Sequence, residues 1–124
     1  MPEPRAPLER EWLGDSKKII RRFPADVRED LGGDLRRLQK GERALDSGPM
    51  APALPGVFEL RAEDKDLWYR VFYHMREGII YVLHCFTKKT NTTSQGDVEI
   101  GRKRMSELKQ RLAKAGKRRG PRGR

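Results

Sequence analysis

The residues best suited to chemistry are cations that alternate with aromatic rings in the middle of the chain. Arg61, Arg70, His84 and Lys88 are spaced so that they fall on one face of a predicted sheet, and Lys89 is adjacent to them. RNA can be cleaved without a metal ion when a base removes a 2′-hydroxyl proton, cations stabilise the crowded phosphate and an acid protonates the departing 5′-oxygen. Cations between aromatic rings also suit single-stranded RNA, because its phosphates form ion pairs with the cations and its bases stack on the rings.

The segment that positions these residues runs from Val57 to Lys89. It contains VFELR, LWYRVFYHM and IIYVLHCFTKK, aromatic and β-branched runs with charged or glycine-containing breaks, which are typical of β-strands. Gly78, between the last two runs, predicts a hairpin. Side chains alternate across a strand, so the runs can be assigned to two faces if no bulge interrupts them. The apolar face, the predicted core, collects Phe58, Leu60, Tyr69, Val71, Tyr73, Ile79, Tyr81, Leu83 and Cys85, and the polar face collects Glu59, Arg61, Trp68, Arg70, Phe72, His84, Phe86 and Lys88.

Structural roles for the same polar residues stay open. Arg61 could have only a structural role, as the ion-pair partner of acidic residues close to it in the sequence. They are Glu59, Glu63 and Asp64. His84 has apolar neighbours, and such histidines are more often buried in a core than catalytic. Lys88 and Lys89 also fit the solvated end of a strand.

Helices are predicted on both sides of the strand segment. A short helix over 17–22 is expected to end at Pro24, and a second helix from about Pro24 to Lys40 follows from leucine and valine spacings of four, four and three. These two helices should form a hairpin on the apolar face of the sheet. Ser94 and Asp97 resemble a helix cap, and a third helix is predicted from Asp97 to Ala115.

The predicted fold class is therefore α+β, with an N-terminal helical hairpin packed on a small antiparallel sheet and a C-terminal helix. Residues 1–11 are interpreted as a loose lead-in and residues 41–56, with several Gly and Pro, as a long loop. At 124 residues the chain is long enough for one modest core. We expect one domain over residues 1–115 and a disordered basic tail over 116–124.

The positive charge lies almost entirely at the C-terminal end. Residues 1–100 contain 17 basic and 17 acidic residues, whereas residues 101–124 contain 11 basic residues and one acidic residue. Such an end favours nucleic acid, the ribosome or an acidic partner, and the alternative is a solubilising tail. Among the tail cations, Lys117, Arg118 and Arg119 are candidate RNA contacts.

Several classes of protein are excluded or disfavoured by the sequence. A single cysteine, Cys85, permits no intramolecular disulfide and no cysteine zinc site, and its apolar neighbours favour a buried thiol over a nucleophile. No metal-ligand spacing and no Gly-rich phosphate loop is present, so neither a metal nor another cofactor is expected. The longest apolar run is too short to span a membrane and the N-terminus lacks a signal-peptide core, so the expected location is the cytoplasm.

Several ordered motifs resemble one known family. FELR, YRVFY and YVLHCFTKKT resemble the phage-derived, HigB-like branch of the RelE/ParE toxin superfamily, as do WLGDSKKIIRRFP and LGGDLRRLQKGE. The resemblance covers roughly Trp12 to Arg111. It implies a small α+β toxin of a type II toxin–antitoxin system, an endoribonuclease that cleaves mRNA on the translating ribosome and thereby inhibits translation. The implied partners are the ribosome, mRNA and a small helix-turn-helix antitoxin.

The resemblance also implies roles for residues on the strands. Arg61 and Arg70 would hold phosphate, Lys88 and Lys89 would complete the basic site, and Lys88 or His84 would move protons. The aromatic residues expected to stack on bases are Trp68 and Phe86. The segment TNTTSQGD departs from the Lys-Thr-Pro-like element that the family usually has after the lysines.

Two alternative functions stay open. ParE toxins share the fold but inhibit DNA gyrase, so a gyrase inhibitor is the nearest alternative. A non-catalytic nucleic-acid-binding module that acts through its basic tail is the other alternative.

Overall fold

The computed structural model describes residues 7–90 and 92–119, with side chains as far as residue 116. A five-stranded sheet has the order β1-β5-β4-β3-β2, in which β1 is parallel to β5 and the other neighbours are antiparallel. The strands are β1 (Glu9–Trp12), β2 (Ser47–Pro49), β3 (Phe58–Asp64), β4 (Leu67–Arg76) and β5 (Ile79–Lys88). The helices are α1 (Ser16–Ile20), α2 (Ala25–Gln39) and α3 (Gln95–Arg119).

Two tight turns join the central strands. Lys65 and Asp66 connect β3 to β4 with φ angles of 47° and 66°, and Glu77 and Gly78 connect β4 to β5 with φ angles of 49° and 81°. Positive φ at both positions of a two-residue loop gives the twist that antiparallel strands need. The hairpin predicted at Gly78 is confirmed.

The first face of the sheet packs against α1 and α2. Val27, Leu31, Leu35 and Leu38 of α2 are all buried, as their spacing predicted. They join Ile20 and Phe23 against strand residues in one apolar cluster. The predicted α+β fold with an N-terminal helical pair on the sheet is confirmed.

The second face is covered at one end by α3 and by the loop before β3. Leu54, Phe72, Leu83, Met105 and Leu108 belong to a second buried cluster there. The helix approaches closely because it presents Gly101, where a Cβ atom would lie 3.0 Å from the ring of Phe72. The first turn of α3 is capped as predicted, since the backbone N–H of Asp97 donates to Oγ of Ser94 at 3.1 Å.

A bulge changes the predicted assignment of side chains in β5. The pairing of β4 with β5 shifts between Phe72 and Tyr73, whose partners are His84 and Val82, so Leu83 has no opposite residue. The extra residue reverses the faces beyond it. Tyr81 and Leu83 therefore lie with Phe72 in the second cluster, not with Cys85 in the first. The prediction that Ile79, Tyr81 and Leu83 share a face with Cys85 was wrong, since Ile79 also packs against the second cluster.

Three segment assignments also need correction. Residues 9–11, part of the lead-in expected to be loose, belong to strand β1, and the predicted loop 41–56 contains strand β2. The helix predicted to end at Ala115 continues to Arg119, so residues 116–119 of the predicted tail are helical. The rest of that predicted tail, residues 120–124, lies outside the described residues.

Candidate functional site

Three rows of side chains cross β3, β4 and β5 on the second face of the sheet. Strand register places Arg61 opposite Arg70, and Arg70 opposite Phe86. The flanking rows are Glu63–Trp68–Lys88 and Glu59–Phe72–His84. All residues assigned to the polar face by alternation therefore lie together, because the bulge lies outside these three rows, next to the Phe72–His84 pair.

Glu59 lies between the two arginines. Its Oε1 accepts a hydrogen bond from Nε of Arg61 at 2.9 Å, and its Oε2 is 3.7 Å from Nε of Arg70. Arg70 is only 4% exposed, and burial lowers the pKa of its guanidinium group although Glu59 opposes the shift. The side chain of Arg61 is 35% exposed and also donates to Asp46 at 3.1 Å. The ion pairing of Arg61 that the sequence left open is therefore present, with Glu59 and Asp46 as partners.

Lys88 is the second buried cation of the site. The residue is 7% exposed, and its Nζ donates to Oγ1 of Thr93 at 3.0 Å. Burial lowers the pKa of this ammonium group, and the positive charge of Arg70 lowers it further, while Glu59 opposes both effects. A lysine in such surroundings can exchange a proton at a lower pH than an exposed lysine.

His84 is buried beneath the first turn of α3. Its Nε2 lies 2.8 Å from Oδ1 of Asp97, and its ring stacks on Phe86 at a centroid distance of 4.8 Å. Burial lowers the pKa of the imidazole and outweighs the hydrogen bond to Asp97, which favours the neutral ring. The neutral form that fits donates from Nε2 to Asp97 and leaves Nδ1 as the acceptor facing Arg104 at 3.5 Å.

The two aromatic candidates differ in accessibility. Phe86 is 6% exposed and contacts Phe72 edge-on at 4.9 Å, so it supports His84 and offers no open ring face to a base. Trp68 is half-buried and lines a cavity of about 270 Å³ together with Arg61 and Arg70. Among the predicted stacking residues, Trp68 has the geometry for a base contact.

The remaining candidates lie apart from this cluster. Lys89 follows the end of β5 and is exposed. Lys117, Arg118 and Arg119 belong to the last turn of α3, and their side chains lie outside the described residues. Cys85 is buried and burial raises the pKa of its thiol to about 12, which is inconsistent with a nucleophile.

Sequence reasoning missed several partners of the site. Glu59 was considered only as a partner of Arg61, although its position two residues away on the same strand face also brings it to Arg70. Ser94 and Asp97 were recognised as a cap, but no local pattern links Asp97 to His84, thirteen residues earlier. Asp46 lies in a Gly- and Pro-rich segment with no periodicity, so nothing in the sequence places it at Arg61.

Two features are absent from the described part of the chain. Within residues 7–90 and 92–119, no three His, Cys, Asp or Glu side chains come together as a metal site. In the same residues, none of the helices is long and apolar enough to cross a bilayer.

Comparison with known proteins agrees with the sequence motifs. The family described as "Phage derived protein Gp49-like (DUF891)" matches residues 18–106, which is most of the chain. No curated protein matches. A solved structure of a mutant E. coli toxin RelE in the free state matches with a TM-score of 0.55 and 13% identity, covering 82% of this chain and 98% of that one. The chain belongs to the phage-derived Gp49-like family and has the fold of the RelE toxin, as its resemblance to the RelE/ParE superfamily predicted.

Proposed function

We propose that this chain is the toxin of a type II toxin–antitoxin system and cleaves mRNA on the ribosome. The observation that carries the proposal is the meeting of Arg61, Arg70 and Lys88 from three strands beside the half-buried Trp68. This set supplies two phosphate ligands, a group that can transfer protons and a stacking surface. The RelE-like fold supports the same conclusion, although fold alone does not fix an activity.

In the proposed reaction, the RNA supplies its own nucleophile. Lys88, as a neutral amine, takes the proton of the 2′-hydroxyl group while the 2′-oxygen attacks the adjacent phosphorus. The bond from phosphorus to the 5′-oxygen breaks, and the ammonium group of Lys88 returns the proton to that oxygen. Arg61 and Arg70 stabilise the charge that develops on the phosphate. The products are a 2′,3′-cyclic phosphate and a 5′-hydroxyl group, and no metal is required.

Lys88 is favoured over His84 as the group that moves protons. His84 is 4% exposed and both of its ring nitrogens face protein groups, whereas Lys88 has a lowered pKa and lies at the Trp68 end of the site. We assign His84 the task of fixing the start of α3 through Asp97. Lys89, exposed next to Lys88, remains a predicted member of the basic site.

Cleavage on purified ribosomes tests the assignment. Arg61→Gln and Lys88→Gln should each reduce cleavage by about 100-fold or more, the typical loss for a group that stabilises or protonates the transition state. Lys18→Gln, an exposed change on α1 across the sheet, is the matched control. Primer extension on the message measures cleavage and circular dichroism measures the fold. Full cleavage by a folded Lys88→Gln protein would contradict the mechanism.

Arg70 calls for a conservative substitution. Since Arg70 is buried next to Glu59, an alanine at this position would remove one of the two cations beside that carboxylate and leave a cavity, which risks unfolding the protein. Arg70→Lys keeps the charge but loses the planar guanidinium, so we expect a folded protein with strongly reduced cleavage.

The gyrase-inhibitor alternative is favoured by one observation. Arg70, His84 and Lys88 are all buried, and a toxin that only binds gyrase needs no accessible basic site. Pulse labelling after expression without an antitoxin separates the two functions. The proposed function requires methionine incorporation to stop before thymidine incorporation, and the reverse order would support gyrase inhibition.

The partners follow from the same proposal. The basic C-terminal end should attract the ribosome, and a small helix-turn-helix antitoxin should be encoded beside this chain. Deletion of Gly116–Arg124 removes five cations and no acidic residue. It should weaken ribosome binding and flatten its dependence on salt, because fewer counterions are released from phosphates. Ribosome co-sedimentation across a salt series measures this slope, and an unchanged slope would show that the tail does not contact phosphate.

A further inference from the structure

Arg61 is held by two carboxylates that differ in accessibility. Glu59 has a side chain that is 12% exposed, whereas the side chain of Asp46, in the loop between α2 and β2, is 59% exposed. An ion pair between exposed groups contributes little to stability, because water solvates both charges well when the pair separates. Glu59 is therefore a permanent partner of Arg61, and Asp46 is an exchangeable one.

The loop that carries Asp46 is fixed independently of this ion pair. The carboxylate of the buried Asp34 accepts hydrogen bonds from the backbone N–H groups of Leu45 at 2.9 Å and Asp46 at 3.3 Å. The backbone N–H of Arg61 donates to the carbonyl oxygen of Asp46 at 3.1 Å. The side chain of Asp46 can consequently turn away from Arg61 while its backbone stays in place.

The cavity beside this ion pair has balanced charge as long as Asp46 stays there. Its charged lining residues are Asp46, Arg61, Glu63 and Arg70, two acids against two bases. Glu59 and Lys88, in the two rows that flank Arg61 and Arg70, also carry opposite charges. With this lining the cavity exerts no net attraction on an anion. When Asp46 withdraws, the lining has a net charge of +1, which attracts an anion.

We propose that Asp46 occupies the place of an RNA phosphate at Arg61 and is displaced when single-stranded RNA binds. A carboxylate and a phosphodiester offer the same acceptor oxygens to a guanidinium group, so one can substitute for the other. Trp68, on the wall of the same cavity, is placed for the neighbouring base. Asp46 thereby lowers the affinity of the free toxin for isolated anions and favours a ligand that also stacks. The identity of the ligand as RNA rests on the proposed function.

Binding of an uncleavable RNA tests the inference. A 2′-O-methyl oligoribonucleotide lacks the attacking hydroxyl group, so its dissociation constant can be measured by fluorescence anisotropy without cleavage. Asp46→Asn should bind about two- to fivefold more tightly than the wild type, the factor that an exposed ion pair is worth. Glu77→Gln is the control, since it removes the same charge in the β4–β5 turn, roughly 20 Å along the sheet from Arg61. It should change affinity by much less.

The Arg61→Gln background shows whether the gain depends on Arg61. Asp46→Asn should give no gain there, because there is no guanidinium to release. An equal gain from Glu77→Gln, a gain that persists without Arg61, or no binding by any form would each overturn the inference. Thermal unfolding confirms that each variant is folded. A protein that shows the Arg61-dependent gain but never cleaves mRNA would support this inference and contradict the proposed function.

Discussion

The two faces of the sheet are built by different means. On the first face, Leu31 and Leu35 of α2 are fully buried against apolar strand residues. One apolar side chain could replace another there without changing the type of interaction. On the second face, Glu59, Arg70 and Lys88 are buried as charged groups. Burying charges costs free energy even when they are paired, so apolar residues would have served the fold at least as well. The difference indicates that the first face serves mainly the fold, whereas the second face combines the apolar cluster under α3 with the buried charges of the proposed site.

Leu35→Ala should cause the largest change in stability. Leu35 has no exposed surface, and a cavity in a packed core costs about 2–5 kcal/mol. Leu45→Ala, at a leucine that is 78% exposed, should change the free energy of unfolding by less than about 0.5 kcal/mol. Urea denaturation measures both. Similar values for the two variants would contradict the assignment of the core to the first face.

Glu59→Gln should have an intermediate effect and should separate the two faces most clearly. The substitution keeps the shape of the side chain but removes the negative charge between Arg61 and Arg70, at an expected cost of about 1–3 kcal/mol. Glu63→Gln, on the same strand but exposed, is the control and should be close to neutral. If Glu59→Gln stabilised the protein, the repulsion between the arginines would be too weak to matter.

The burial of His84 predicts a smaller, pH-dependent effect, which its hydrogen bond to Asp97 only partly offsets. Burial lowers the pKa of His84 below that of an unfolded histidine, so the unfolded chain takes up a proton first as the pH falls. Stability should be complete above about pH 6.5 and should decline as the pH falls through the lower pKa of the folded protein. His84→Gln should remove this part of the acid sensitivity, whereas His74→Gln should retain it. Thermal melts between pH 5 and 7.5 provide the comparison.

Gly48→Ala should change stability least and activity clearly. A Cβ atom at residue 48 would overlap the guanidinium group of Arg61, which is the movable end of a long side chain. The free energy of unfolding should therefore change by less than about 0.5 kcal/mol, while the rate of cleavage should fall by about tenfold or more because Arg61 is displaced. Gly116→Ala, where a Cβ atom meets nothing within 4 Å, is the matched control. Wild-type cleavage by Gly48→Ala would show that the position of Arg61 is unimportant.

Much of the fold was predictable because local stereochemistry determines it. The four buried positions of α2 recur at helical spacing, Gly78 supplies a positive φ angle for a hairpin, and Ser94 precedes Asp97 at the spacing of a cap. Strand β1 was not predictable in this way, since EREW has no apolar alternation and its pairing with β5 depends on residues about seventy positions later. Strand β2 is three residues long and contains Pro49, so its sequence resembles a loop.

The sequence predicted on which face of the sheet the candidate site residues lie, but not which residues they contact there. Alternation along each strand placed Arg61, Arg70 and Lys88 on one side of the sheet, because a strand imposes a period of two on its own side chains. Whether that side is open to solvent depends on α3, which covers Phe86 and His84 through contacts that no local pattern encodes. The bulge at Leu83 likewise depends on the register of two strands and reversed the predicted faces of Tyr81 and Leu83.

The sequence by itself determined the helices, the hairpin at Gly78 and the residue types of the polar face, because periodicity, turns and caps act within a few residues. Only the tertiary structure decided which charges meet. Glu59 between the arginines, Asp97 at His84 and Asp46 at Arg61 are contacts set by strand register, by the path of α3 and by a fixed loop. Burial, which lowers the pKa of Lys88, is also a property of the packed molecule, because desolvation depends on all the atoms that surround a charge.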